Sequence, residues 1–151
     1  MSGEQDRIDI AQAAAQQLRE TGINCTVEIP AQMDWGGQMA CLIGWGSPFD
    51  ADDHTYKVFG TDKGANYSGY SNEKVDEYLT LARQYEDQET RAKYYDLFQE
   101  ELAKDPAYAF ICYIDANYVA DSDIKGISEK TVLGHHGVGI FWNIQEWEIV
   151  K

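Results

Sequence analysis

The chain has 151 residues, 44% of them apolar and 13% aromatic, which is ample for a packed core and excludes a disordered tail. Lys and Arg number 12 against 26 Asp and Glu, a formal charge of -14, which excludes nucleic acid as a partner class and disfavours an anionic membrane surface. No apolar run reaches the roughly 18 residues needed to span a bilayer.

Residues 7–21 place Ile8, Ala11, Ala15 and Leu18 on one helical face, and Thr21-Gly22 stops that helix, with Gly22 in the position that follows a helix C-terminus. Cys25–Ile29 is rich in β-branched residues, is closed by Pro30 and predicts a strand. Met39–Trp45 is a continuous apolar run broken only at Gly44, the pattern of a strand covered on both faces. It leads into Gly44-Trp45-Gly46-Ser47-Pro48-Phe49-Asp50, an aromatic, turn-forming loop of the kind that holds ligands in α/β folds. Asp50–Tyr56 predicts the start of a short helix with its acids at the positive end. Residues 60–71 are a loop rich in Gly, Asn, Ser and Tyr.

Two strong helices follow. Ser71 or Asn72 caps the first, whose inward stripe is Val75, Tyr78, Leu79, Ala82 and Tyr85. Asp87 caps the second, with Tyr94, Tyr95, Phe98 and Leu102 as its stripe and Lys104-Asp105-Pro106 as its end. So short a turn between them predicts an antiparallel hairpin. Ala107–Ile114 and Asn117–Ala120 predict strands, and the alternation in Phe141–Val150 predicts a closing strand. The expected architecture is α/β, a central mixed sheet flanked by helices.

Cys25, Cys41 and Cys112 lie far apart, each within an apolar stretch, and are expected to be buried thiols rather than a disulfide framework or a nucleophile. Phosphate-loop, dinucleotide-fingerprint, nucleophile-elbow and H-E-x-x-H signatures are absent, so no catalytic set and no resident cofactor are expected. Asp50, Asp52, Asp53 and His54 combine hard oxygens with an imidazole, from which a metal site could be built; capping and solvating a helix start is the simpler reading. His135-His136 would point to opposite faces of a strand, although the flanking glycines permit a sharp turn. Trp45, Phe49, Tyr67 and Tyr70 sit in loops and are expected to line a cleft or interface, whereas the helix tyrosines belong to the core.

The order of these segments carries a resemblance. Gly44-Trp45-Gly46-Ser47-Pro48-Phe49-Asp50 is followed by Asn66-Tyr67-Ser68-Gly69-Tyr70-Ser71-Asn72, then Val75-Asp76, Arg91-Ala92-Lys93-Tyr94-Tyr95 and Asp105-Pro106-Ala107-Tyr108. From about Ile8 to Gly126 the chain resembles the C-terminal lobe of family 5 extracytoplasmic solute-binding proteins, the peptide- and nickel-type receptors of ABC importers. The resemblance implies a periplasmic-binding-protein-like lobe of type II, with residues 1–151 as a single domain. It implies a two-lobed receptor that closes on a small peptide or a metal-chelate solute and hands it to the membrane subunits of an ABC permease. It also implies an extracytoplasmic, often lipid-anchored, full-length protein, so a chain that opens on Met1-Ser2-Gly3 without a signal peptide is expected to be an excised lobe lacking its N-terminal partner lobe. The segment 30–38 is shorter than the family's connection and is expected to be a shortened connection or linker.

Carried onto this chain, the resemblance makes Trp45, Gly46, Ser47, Phe49, Asp50 and Tyr67 the ligand-binding residues, with no protein metal ligand among them. Peptide receptors of the family place an Asp where this chain has Pro48, so the carboxylate that anchors a peptide's amino terminus is missing. The segment is closer to the Trp-Gly-Ala-Pro-Tyr-Asp of the nickel branch, with Phe49 lacking the hydroxyl. That branch also has a His shortly before the Tyr of the next loop, where this chain reads Lys63-Gly64-Ala65-Asn66-Tyr67. Two other functions compete with this reading. One is a protein-interaction module built on the loop aromatics; the other is a metal-dependent hydrolase using Asp50, Asp52, His54 and the His135-His136 pair.

Overall fold

Helix formation follows the local signals closely. A computed structural model describes residues 2–32, 40–46, 50–115, 117–128 and 139–150. The chain divides into two compact units, Met1–Gly44 and Trp45–Lys151.

In the first unit, helix α1 spans Ser2–Glu20. Ile8, Ala11 and Ala15 turn inward, whereas Leu18 is exposed. Gly22 sits at φ 90°, and the Ile23 N–H donates to the Leu18 carbonyl while the Gly22 N–H donates to Arg19. These are the two bonds of a Schellman cap, which a left-handed residue allows and glycine adopts without strain. The Arg19 guanidinium donates to the Cys25 carbonyl at 3.1 Å, tying the helix end to the next segment. There Cys25 and Val27 are half-buried while Asn24, Thr26 and Glu28 are exposed, the two-residue period of a strand without a ladder partner among the described residues.

The second unit is built on three helices: α2 (Asp52–Phe59), α3 (Glu73–Ala82) and α4 (Gln88–Lys104). The Asn72 side chain caps α3 by accepting from the Lys74 and Val75 N–H groups, and Asp87 caps α4 by accepting from Thr90 N–H. Each satisfies donors that the helix start leaves without partners. Val75, Leu79 and Ala82 of α3 interlock with Tyr95, Phe98 and Leu102 of α4 in one core, as the antiparallel hairpin predicts. Tyr56 and Phe59 of α2 lean on the same core, together with Tyr70 and Tyr78. Tyr85 departs from its expected place: it is exposed and stacks on Tyr94 at the hairpin's outer end, with ring centroids 5.6 Å apart.

The strand expectations fare differently. Among the described residues the one ladder is β1 (Ile124–Lys125) paired antiparallel with β2 (Glu148–Ile149). The runs at 40–45, 107–114 and 117–120 form no ladder there, and the expected central mixed sheet is not formed by these residues. A strand is defined by its neighbour, so an apolar run without one remains irregular however strong its propensity. Leu42, Ile43, Ala107 and Tyr108 are half-buried, but Phe110, Ile111, Ile114 and Tyr118 are exposed and Tyr113 and Val119 fully so.

The closing strand expected over Phe141–Val150 is corrected. Gly139–Glu146 forms a pair of 3-10 turns broken at Asn143, and only Glu148–Ile149 is strand. The cause is a buried amide. Asn143 donates to the Gly126 carbonyl at 2.8 Å and to Glu146, and accepts from the Trp147 indole at 3.0 Å. Gly126, at φ 85°, lies so close to the Glu146 carbonyl that a Cβ would collide with it. The cysteine expectation is corrected too: Cys25 is half-buried, but Cys41 and Cys112 are exposed, and all three are free thiols. Among the described residues no helix is long and apolar enough to cross a membrane.

Leu79 is fully buried in the α3–α4 seam, so Leu79→Ala is expected to cost about 2–5 kcal/mol. Asn72→Ala, which frees two helix-start donors, is expected to cost about 1 kcal/mol. Urea denaturation followed by circular dichroism measures both.

Candidate functional site

Two of the residues expected to bind a ligand, Trp45 and Tyr67, meet in the second unit. Trp45 opens that unit, and its indole stacks nearly parallel on the Tyr67 ring, with centroids 6.2 Å apart and planes 9° from parallel. The His54 imidazole, from the first turn of α2, stands edge-on to the same indole at 5.6 Å and 85°. Both platform rings keep open surface, Trp45 at 38% and Tyr67 at 43% exposure. Stacked aromatics that keep exposed surface present a broad apolar patch edged by polar groups, which suits a flat, partly polar solute.

Tyr67 is positioned by Asn66, a residue to which the sequence reading gives no role. The Asn66 amide nitrogen donates to the Gly60 and Tyr70 carbonyls, at 2.9 and 2.7 Å. Its oxygen accepts from the Tyr70 N–H and the Ser68 hydroxyl. One side chain thus closes the loop on both sides of Tyr67. The loop is moored to α3 where the Thr61 N–H donates to Asp76 at 2.8 Å. Tyr70, grouped with the cleft aromatics by its loop position, packs against the helix core, and burial pushes its phenol above the usual range.

On the other side, the acidic run fixes α2. Asp50 accepts from the Asp52 N–H at 2.8 Å and so caps the helix start. It also pairs with Arg91 of α4 at 2.7 Å. The Arg91 hydrogen bond is the main reason its carboxyl is held below the usual carboxylate range. Asp52 pairs with Arg83 at 3.3 Å, and the Arg83 guanidinium lies 4.0 Å over the Tyr56 ring. Asp53 pairs with Lys57, which is the largest cause of its lowered pKa, and faces His54. An open depression lies here, lined in part by Asp50, Asp52, Arg83 and Arg91. The carboxylates are therefore matched to cations one by one. Among the described residues, no group of three or more His, Cys, Asp or Glu gathers to hold a metal ion.

Of the six expected binding residues, the structure brings Trp45 and Tyr67 into contact and places Gly46 next to the indole in sequence. It engages Asp50 as cap and ion-pair partner. Ser47 and Phe49 lie outside the described residues, as do His135 and His136.

No protein-family profile matches the chain, and no curated protein matches it. The chain is similar in sequence and fold to part of a solved structure, NikZ from Campylobacter jejuni in complex with Ni(L-His). The two are 34% identical with a TM-score of 0.70 over 93% of this chain, and the match spans 30% of the NikZ chain.

Two measurements check this geometry. Asn66→Ala is expected to speed hydrogen exchange at the Tyr70 amide, which loses its acceptor, while amides within α4 keep their protection. Because the folded carboxyl of Asp50 sits below its ordinary value, the stability it contributes is present above the unfolded pKa of about 3.9 and is lost as pH falls through the lower folded value. Asp50→Asn is therefore expected to flatten the acid limb of a thermal-stability profile below about pH 4 and to lower stability at neutral pH.

Proposed function

We propose that this chain is the substrate-binding lobe of an ABC-importer solute-binding protein, and that Trp45 and Tyr67 form the wall against which the solute rests. One observation carries the reading: a chain 34% identical to part of NikZ, solved with Ni(L-His), presents an open stacked Trp–Tyr pair on a loop and turn fixed by charged and amide anchors. Gly46, next to the indole in sequence, carries no side chain, and Asp50 is held by the Asp52 N–H and by Arg91. Within the two ligand classes the sequence suggests, a metal chelate fits better than a peptide. Pro48 stands where a carboxylate would hold a peptide's amino terminus, and the charge of -14 favours a cationic solute.

In this reading the protein performs no chemistry on the solute. It acts outside the cytoplasm, as a lipid-anchored receptor in its full-length form, and passes the solute to the permease subunits. A first lobe supplies the opposite wall of the clamp, and the exposed apolar side chains of Phe110, Ile111, Tyr113, Ile114, Tyr118 and Val119 are the surface that such a partner covers. The same exposed run favours, as a second reading, a module that holds a separate protein.

Tryptophan fluorescence separates these readings. A one-to-one mixture of nickel chloride and L-histidine is expected to perturb Trp45 emission and to outcompete a short-peptide mixture. Trp45→Ala is expected to weaken binding about tenfold or more, as loss of an aromatic anchor does. Equal binding by the wild type and Trp45→Ala would count against the platform.

A further inference from the structure

The run at 107–114 is open in its backbone as well as in its side chains. Among the described residues, no hydrogen bond uses a backbone N–H or C=O of residues 110–114. Phe110 and Ile114 on one side of the two-residue alternation, and Ile111 and Tyr113 on the other, are all exposed. With both alternate sets open, the run has no single apolar face for a flat partner to cover; what it offers is an edge with unpaired donors and acceptors. Its start is held in place, because the Tyr108 and Phe110 rings lie 5.8 and 6.4 Å from that of Phe59 in α2. Exposed edges are commonly blunted by charge or proline, and residues 107–114 contain neither, in a chain of which 25% is charged.

We propose that this edge is a self-association site: in the 151-residue chain by itself it pairs antiparallel with the same run of a second copy, about a two-fold axis at Cys112. Three observations select that occupant. The run is complementary to itself, since a register centred on Cys112 sets Phe110 opposite Ile114 and Ile111 opposite Tyr113, so each aromatic meets a β-branched side chain, a favoured cross-strand pair. Charge permits it, because two copies at -14 each repel strongly, yet this uncharged run brings no acid to the centre of the contact, and Asp115 falls opposite Ala109 at its margin. Area allows it as well. At about 150–250 Å² for a whole aromatic side chain and less for an aliphatic one, the open parts of Phe110, Ile111, Tyr113, Ile114, Tyr118 and Val119 come to roughly 700 Å². Each partner in a standard interface buries about 800 Å². A two-fold pair of this kind is closed, so association stops at two copies. The proposal goes beyond the receptor reading, in which a first lobe covers these side chains; lobe and second copy are alternatives for one edge.

Sedimentation velocity of the whole chain under reducing conditions tests the pairing. The expected result is a dimer that strengthens between about 0.01 and 0.15 M salt, as the screening length falls from roughly 30 to 8 Å and the repulsion between copies fades. Tyr113→Lys, at a fully exposed position and with its fold checked by circular dichroism, is expected to weaken the dimer at least about tenfold. The exposed thiol of Cys112 reports the register. Directly opposed residues of an antiparallel pair lie about 4.5–5.5 Å apart at Cα, within disulfide reach. In a Cys25→Ser, Cys41→Ser background, glutathione disulfide is expected to join two copies through Cys112. The two thiols give up two protons and two electrons, and the oxidant leaves as two glutathione thiols. Tyr113→Lys is expected to suppress this crosslink. A monomer at both salt concentrations would overturn the proposal, and so would assembly beyond two copies. A dimer that Tyr113→Lys leaves unchanged, or one that Cys112 does not crosslink, would place the contact elsewhere and overturn it too.

Discussion

The burial of six side chains between α3 and α4 is the constraint on which the rest of the second unit depends. Val75, Leu79, Ala82, Tyr95, Phe98 and Leu102 lose nearly all contact with water there, a large apolar gain for two helices whose own propensity is modest. Everything near the proposed wall is fastened to that hairpin from outside. Phe59 and Tyr56 of α2 rest on it, Tyr70 anchors one end of the 60–71 loop against it, and Asp76 of α3 takes the Thr61 N–H. The wall itself is thin, two loop aromatics and an imidazole, but it is carried by rigid helices, the usual arrangement for a recognition surface.

Charge does the second part of the positioning. An acidic helix start would repel itself if left bare; here each carboxylate meets a cation from a different place in the chain. Arg91 reaches back from α4 to Asp50, Arg83 from just past α3 to Asp52, and Lys57 sits one turn on from Asp53. These pairs are exposed and individually weak. Their value is geometric, because they set where α2 begins and therefore where Trp45 and His54 stand. Hydrogen bonding does the same on the other side, where Asn66 takes the part that the ion pairs take around Asp50.

What was legible in the sequence was local. Gly22, Asn72 and Asp87 declare themselves because a cap depends on residues within one turn of it, and the hairpin stripe shows because helical periodicity is intrinsic. Acids gathered at residues 50–53 marked the start of α2 for the same reason. The strands were less legible, since Cys25–Ile29 and Ala107–Ile114 read as strands in composition but need partners that composition does not name. Phe141–Val150 alternates like a strand, yet its conformation is set by the hydrogen bonds of Asn143, whose partners include Gly126, 17 residues away. Trp45 and Tyr67 were each suspected from their loops, but their stacking across 21 intervening positions, and the approach of His54, are tertiary facts. Asn66 lay in a stretch already marked as informative; an amide flanked by loop glycines and tyrosines is the signal that could have singled it out.

The central claim is that a small cationic chelate rests on the Trp45–Tyr67 face. Anomalous diffraction at the nickel absorption edge, from crystals of this chain soaked in nickel chloride and L-histidine, tests it most directly. The account predicts one dominant peak over that face. A dominant peak elsewhere, with the Trp45–Tyr67 face bare, would contradict it.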